Sequence, residues 1–221
     1  MVKRAVINIL AGQRADLDHA ITGPNHKAYA DRIGAEYRTI RRDSSPSYGP
    51  AIKYLANTLT PEYDQCLFID CDAVVTAQAP NIFDEVPLGY WAIMDERGRS
   101  QEPLADGYGQ KMADKISDAL NIPRIPLIRM LNSGVMVMPP DSARWYGPPK
   151  RSVPSCWIFE QLFLAMMLQL DHAKIIELDW RWNLCWCHSH FHQNRSKAFI
   201  LHAAGYHGDR TPELEGYLAF A

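Results

Sequence analysis

Apolar positions along the chain cluster into short runs, separated by polar or helically spaced stretches. Residues 5–10, Ala-Val-Ile-Asn-Ile-Leu, form a run of strand length broken only by Asn8, as expected of a strand covered on both faces. Residues 25–33 carry helical spacing through Ala28, Tyr29 and Ile33, and Gly34 predicts the stop. A second strand is predicted over 36–40, then a polar, turn-rich stretch over 41–50 and a short helix over 51–59 closed by Thr60-Pro61. Gln65 to Ile69 reads as another buried strand, ending at Asp70-Cys71-Asp72. Further strands are predicted over 89–94, 131–138 and 174–178, with helices over 110–120 and 156–170. The polar, Gly/Pro-interrupted segment 95–129 reads as an excursion over the sheet edge rather than a separate domain. This strand–helix alternation predicts one α/β domain over residues 1–221, built on a parallel sheet with covering helices.

Composition narrows the picture. With 221 residues, 47% of them apolar, the chain can bury a full core, and disorder is excluded. No apolar run approaches the ~20 residues that span a bilayer. Lys plus Arg number 23 against 25 Asp plus Glu, so there is no general electrostatic pull toward nucleic acid. The basic start and apolar stretch at the N-terminus superficially resemble a targeting signal. The stretch is short, however, and Gln13, Arg14 and Asp16 follow where small residues should sit. Five cysteines, an odd number with no such signal before them, lead us to expect free thiols and a reducing, cytoplasmic setting.

Asp70 and Asp72 are the most informative residues. Ligands of an open parallel sheet gather at the carboxyl ends of its strands. Two carboxylates one residue apart at such an end can hold a hard divalent ion, Mn²⁺ or Mg²⁺, which also bridges a diphosphate. Such an ion offsets the charge that grows on a leaving nucleoside diphosphate. The same spacing also suits a plain solvated strand end, so context decides. Ala11 and Gly12, at the end of the first strand, would let a nucleotide approach the backbone closely.

The stretch Tyr63-Asp64-Gln-Cys-Leu-Phe-Ile-Asp70-Cys-Asp72 resembles the metal- and donor-binding core of GT-A nucleotide-sugar transferases, with its Asp-x-Asp motif. The nearest likeness is to glycosyltransferase family 8, the glycogenin-like and lipopolysaccharide galactosyltransferase-like group. His26-Lys-Ala-Tyr-Ala-Asp-Arg-Ile-Gly34 also resembles a helix end of the related galactosyl/mannosyltransferases. Further patches follow in the family's order and extend the likeness over about residues 3–210. Lys53 stands where the family carries a donor-contacting basic residue, although Arg is commoner there. Asp95 matches an aspartate lining the donor-sugar and acceptor pocket. Leu131-Asn132-Ser133-Gly134 resembles the strand whose Asn touches the transferred sugar. Glu160-Gln161 falls on the Asp-Gln pair beside the anomeric carbon, with Glu in place of Asp and Leu162 where a second carboxylate often stands. His202-Ala-Ala-Gly205 resembles the motif whose His completes the metal shell. The lysine of that motif is Gly208 here, leaving His207, Asp209 or Arg210 to take its phosphate contact, Arg210 being chemically best suited.

The resemblance therefore implies a Rossmann-like, mostly parallel central sheet with flanking helices and a retaining transfer. The donor would be a nucleoside-diphosphate sugar, uridine-linked, with Mn²⁺ or Mg²⁺ as cofactor. Asp70, Asp72 and His202 would hold the metal. Asp95, Asn132 and Gln161 would orient the sugar. Ala11, Gly12, Lys53, Gly134, Gly205 and Arg210 would line the donor. The acceptor stays open among a glycan, a protein, a lipid-linked sugar and a modified nucleic-acid base, and no stable membrane insertion is expected.

One motif lies outside that reading. Cys185, Cys187, His188, His190 and His192 could ligate zinc, or could form a ring-rich pocket wall. As a strand they would place the thiols on one face and the imidazoles on the other. The neighbouring Trp180-Arg181-Trp182-Asn183 resembles a family stretch beside the acceptor site, where a ring could stack. Three other functions remain in competition. A haloacid-dehalogenase-like phosphatase would use Asp70 and Asp72 as nucleophile and acid/base, but normally carries the pair on its first strand. A nucleotidyltransferase would want a basic Gly-rich loop where Leu10-Ala11-Gly12-Gln13 is plain. A non-catalytic sugar-nucleotide module would bind without turnover.

Overall fold

The computed structural model describes residues 2–11, 13–42, 49–97, 107–149, 151–154, 156, 158–206 and 208–221. Its centre is a six-stranded sheet in the order β2-β1-β3-β6-β5-β7. The strands are β1 (Arg4–Ala11), β2 (Glu36–Arg42), β3 (Gln65–Ile69), β5 (Trp91–Asp95), β6 (Leu131–Met138) and β7 (Ile175–Glu177). β1 runs parallel to β2 and β3, and β5 runs parallel to β7. β6 runs antiparallel to both β3 and β5. The sheet is thus mixed at one strand. A second, three-stranded sheet has the order β4-β9-β8, from β4 (Ala73–Val75), β9 (Ile200–His202) and β8 (Leu184–Cys185).

Alternation along the strands divides the core in two. Ala5, Ile7, Cys66, Phe68, Trp91, Ile93 and Met136 face one side, under α2 (Tyr108–Leu120) and α3 (Phe159–Leu170). Val6, Leu67, Ile69, Ala92, Val135 and Val137 face the other, against Tyr29 and Ala30 of α1 (Gln13–Arg32) and against Trp182. Successive side chains point to opposite faces, so continuous apolar runs are what a doubly covered sheet requires. Behind the small sheet, Phe191 of α4 (Phe191–Asn194) and Leu214 and Tyr217 of α5 (Thr211–Leu218) close a third cluster.

Several boundaries move relative to the sequence pattern. α1 begins at Gln13 rather than near residue 25: its first half is polar and carries Gly23-Pro24, which read as a break, yet the helix runs through them. Thr22 bridges that stretch to the rest of the fold, donating its hydroxyl to the Cys71 carbonyl at 2.8 Å. The helix expected over 51–59 is a run of 3₁₀ turns, Gly49–Thr58. The strand expected from residue 89 begins at Trp91, after Gly89 turns the chain with φ +77°. The helix expected from Cys156 begins at Phe159. Finally, β8 stops at Cys185 and a turn follows, so the thiols and imidazoles beyond it do not alternate across a strand.

Candidate active site

β1 and β3 run parallel, and their carboxyl ends open onto a cavity of about 480 Å³. Because β6 is antiparallel, its beginning, Asn132 to Gly134, lies at that same end. There the β5–β6 register slips. Ile93 pairs with Met136 but Met94 pairs with Asn132, so residues 133–135 have no partner on β5. Such an irregularity beside a strand end re-aims side chains toward a site. The small sheet completes the floor. Ala73 pairs with His202 in the β4–β9 ladder, and the Ala203 N–H donates to the Asp72 carbonyl at 2.9 Å.

Three expected metal ligands meet here. His202 Nε2 lies 3.2 Å from Asp72 Oδ1 and 3.7 Å from Asp70 Oδ2, and the three ligand atoms all fall within 4.8 Å of one another. Gly134 leaves the room for this: a Cβ on it would run into the His202 ring. Burial pushes the Asp70 carboxyl up, with Lys53 opposing and Asp72 adding to the rise. On Asp72 burial acts the same way, but the His202 imidazole, then Arg210 and Lys53, hold it well below the carboxylate range. Burial alone would lower His202, and the two carboxylates raise it instead.

Cationic side chains ring the carboxylates. Lys53 Nζ is 2.6 Å from Asp70 Oδ2, 3.1 Å from Ser133 Oγ and 3.6 Å from Glu160 Oε1. Arg210 Nη1 is 2.6 Å from Asp72 Oδ2 and 3.5 Å from Asp18 Oδ2, and Arg14 Nε is 3.1 Å from Asp18 Oδ1. Glu160 is buried, accepts from Ser133 Oγ at 2.7 Å, and is pushed up by that burial against the pull of Lys53.

Of the residues singled out in the sequence, Ala11, Lys53, Asp70, Asp72, Asn132, Gln161, His202, Gly205 and Arg210 line the cavity. Gly205 turns with φ +79°, where a Cβ would lie 2.8 Å from Cys187 Cβ. Gly12 and His207 lie outside the described residues. Asp95 is not among the described lining residues. It forms a two-pronged pair with Arg97, 2.9 Å to Nε and 2.6 Å to Nη2, and accepts from the Met130 N–H at 3.0 Å. Asn132 touches the cavity, but both ends of its amide are engaged by protein. Its Oδ1 accepts from Gly134 N–H and Asn183 Nδ2 at 2.8 Å each, and its Nδ2 donates to Glu96 Oε1 at 2.8 Å.

The sequence pattern did not single out Arg14, Asp18, Ser133 or Glu96. Only the Arg14–Asp18 pair, four apart on one helix, carried a readable signal, and it was hidden because α1 was expected to start later.

The thiol and imidazole motif separates into parts. Cys185 Sγ lies 3.5 Å from His202 Nδ1, and burial keeps this thiol protonated. Cys187, His188 and Glu96 form a second group of potential ligands. His190 stacks on His188 and meets the edge of Trp180, and His192 packs on Phe191. With Cys185 a thiol, the donors around Asp70 are carboxylate oxygens and imidazole nitrogen, which suit a hard or borderline ion such as Mn²⁺.

No protein-family model matches the chain, and no curated protein matches it. Among solved structures it is similar, over 97% of its length and 98% of the other's, to a glycosyltransferase involved in glycosylation of the PBCV-1 major capsid, with 11% identity and TM-score 0.60. The bifunctional glycosyltransferase WbbM gives TM-score 0.65 at 14% identity, covering 99% of this chain and 50% of that one. The galactosyltransferase LgtC, solved with donor and acceptor sugar analogs, gives TM-score 0.53 at 13% identity, covering 98% and 97%. Two parallel strands opening onto the Asp70–Asp72–His202 floor, with an antiparallel β6 between β3 and β5, thus belong to a backbone that glycosyltransferases share: the chain has the GT-A fold.

Proposed function

We propose that this protein is a divalent-cation-dependent glycosyltransferase that moves a sugar from a nucleoside-diphosphate donor, uridine-linked, to an acceptor hydroxyl with retention at the anomeric carbon. The observation that carries the reading is the convergence of two carboxylate oxygens and one imidazole nitrogen within 4.8 Å on the floor of a cavity at the strand ends. That donor set fits Mn²⁺ or Mg²⁺, and Asp70, Asp72 and His202 are the residues to hold it. When bound, the ion supplies countercharge to the departing diphosphate.

The chain's own residues do the rest. Arg210, which lines the cavity and pairs with Asp72, would turn to phosphate oxygens, which its fork suits. Lys53 holds Asp70 and Glu160 in place and adds positive charge. Ala11 gives the nucleotide close access to the backbone, and Gln161 faces the same cavity as a ligand for the sugar. In a front-face departure the leaving phosphate oxygen takes the acceptor's proton, so the transfer needs no protein base. Glu160 is already engaged by Ser133 and Lys53.

The test is release of UDP from uridine-diphosphate sugars. Wild-type protein with Mn²⁺ should turn donor over, by hydrolysis where no acceptor is present. Asp72→Ala, or wild type in excess chelator, should reduce that to background while the circular-dichroism spectrum is kept. Undiminished turnover by Asp72→Ala in chelator rules the reading out.

A further inference from the structure

His202 can serve as a ligand through Nε2 only if its proton sits on Nδ1, and the fold fixes that choice through a chain of amides. Asn132 Nδ2 donates to Glu96 Oε1 at 2.8 Å. The Gly134 N–H, 2.8 Å from the other end of that amide, independently requires an oxygen there. The Asn183 group facing the same Asn132 oxygen at 2.8 Å must then be its NH₂, which turns Asn183 Oδ1 toward His202 Nδ1, also at 2.8 Å. Every member is buried: Glu96 is 6% exposed, Asn132 and His202 3% each, and Asn183 0%. At that burial each amide has one orientation that satisfies all of its protein partners.

His188 shows the opposite arrangement. Its Nδ1 accepts from the Cys185 backbone N–H at 3.3 Å, which leaves the proton on Nε2, 3.5 Å from Glu96 Oε1 and without a hydrogen bond. An Nε2 carrying a proton is a donor, and the Glu96–Cys187–His188 group lacks a nitrogen lone pair to offer.

We propose that Asn183 is a positioning residue that presents His202 Nε2 to the cation, with Glu96 orienting the relay through Asn132, and that the Glu96–Cys187–His188 group takes no cation. This rests on the cation reading above and adds to it. A hydrogen-bonded partner on the far nitrogen of a metal-binding imidazole is worth 10–100-fold in metal affinity.

Binding of Mn²⁺ alone, together with pulsed EPR of the bound ion, tests it. Wild type should bind one Mn²⁺ with a nitrogen coupling from a coordinated imidazole, and His188→Leu should leave both unchanged. Asn183→Leu, with the same branching but without an acceptor, should weaken binding about 10–100-fold and lose the coupling. Asn183→Asp, which keeps an oxygen against Nδ1, should retain the coupling, and Asn183→Ala, which removes the acceptor without adding bulk, should lose it where the leucine variant fails to fold. A nitrogen coupling that survives in folded Asn183→Leu or Asn183→Ala, or is absent in Asn183→Asp, overturns the relay and leaves the cation reading standing, whereas one lost in His188→Leu puts the ion on the second group and overturns both. Wild type that binds no Mn²⁺ overturns both.

Discussion

Asp95 is 4% exposed and still favours its charged form. Burial pushes its carboxyl up, but the Arg97 guanidinium and the N–H groups of Met130 and Arg97 bring it below the ordinary carboxylate value. A carboxyl lowered by folding stabilises the native state above its unfolded value of about 3.9, and that contribution is lost as pH falls through the lower, folded value. Asp95→Asn should therefore cost about 1.5–3 kcal/mol at pH 7, and the gap to wild type should narrow below about pH 4. Urea denaturation at pH 7 and at pH 3 checks this; an equal gap at both contradicts it. Asp70 and Asp72 were legible because both stand at the end of one apolar run. Glu96 and Asn183 were not legible in these roles, because their partners lie 36 and 19 positions away along the chain.

Helix ends carry a local code that the sequence shows only in part. After α1, the Ala35 N–H donates to the Ala30 carbonyl and Gly34 N–H to Asp31, with Gly34 at φ +68°. α2 ends the same way at Asn121 (φ 56°), with Ile122 N–H on Ser117. α3 repeats it at His172 (φ 50°), with Ala173 N–H on Leu168 and His172 N–H on Gln169. This paired closure wants a left-handed residue, which Gly adopts freely, Asn tolerates and His resists. Gly34 could be read as a stop for that reason, whereas nothing in the letter His172 announces one. His172→Gly should stabilise the protein by about 1 kcal/mol, read as a higher denaturation midpoint with unchanged slope. No gain would mean that His172 makes compensating contacts. The start of α1 was missed for the converse reason: Gly23-Pro24 reads as a breaker, yet tertiary contacts such as Thr22 to Cys71 carry the helix through it.

For the whole molecule, the strand and helix order was legible, because a doubly covered sheet writes itself as alternating apolar runs. The direction of β6 was not, since an apolar strand reads the same both ways. Donor binding is a property of the assembled fold, not of any one element, and so should show as global stability. At about 100 times the dissociation constant a ligand adds about 2.7 kcal/mol. In a chain of this size that raises the melting temperature by about 5–10 °C. UDP with Mn²⁺ should produce such a shift, and UDP in chelator should produce little of it. An equal shift in both would detach nucleotide binding from the cation.

The reversed course of β6 sets where this architecture can vary. The chain leaves the sheet at Asp95 and returns at Leu131, which pair with each other next to Asn132 of the cavity lining. Within that stretch α2 covers one face of the core and Glu96 holds Asn132, so variation there falls on positions outside those contacts. Under the proposed function, new acceptor preferences could be grafted at that seam, with the nucleotide-handling half inherited intact.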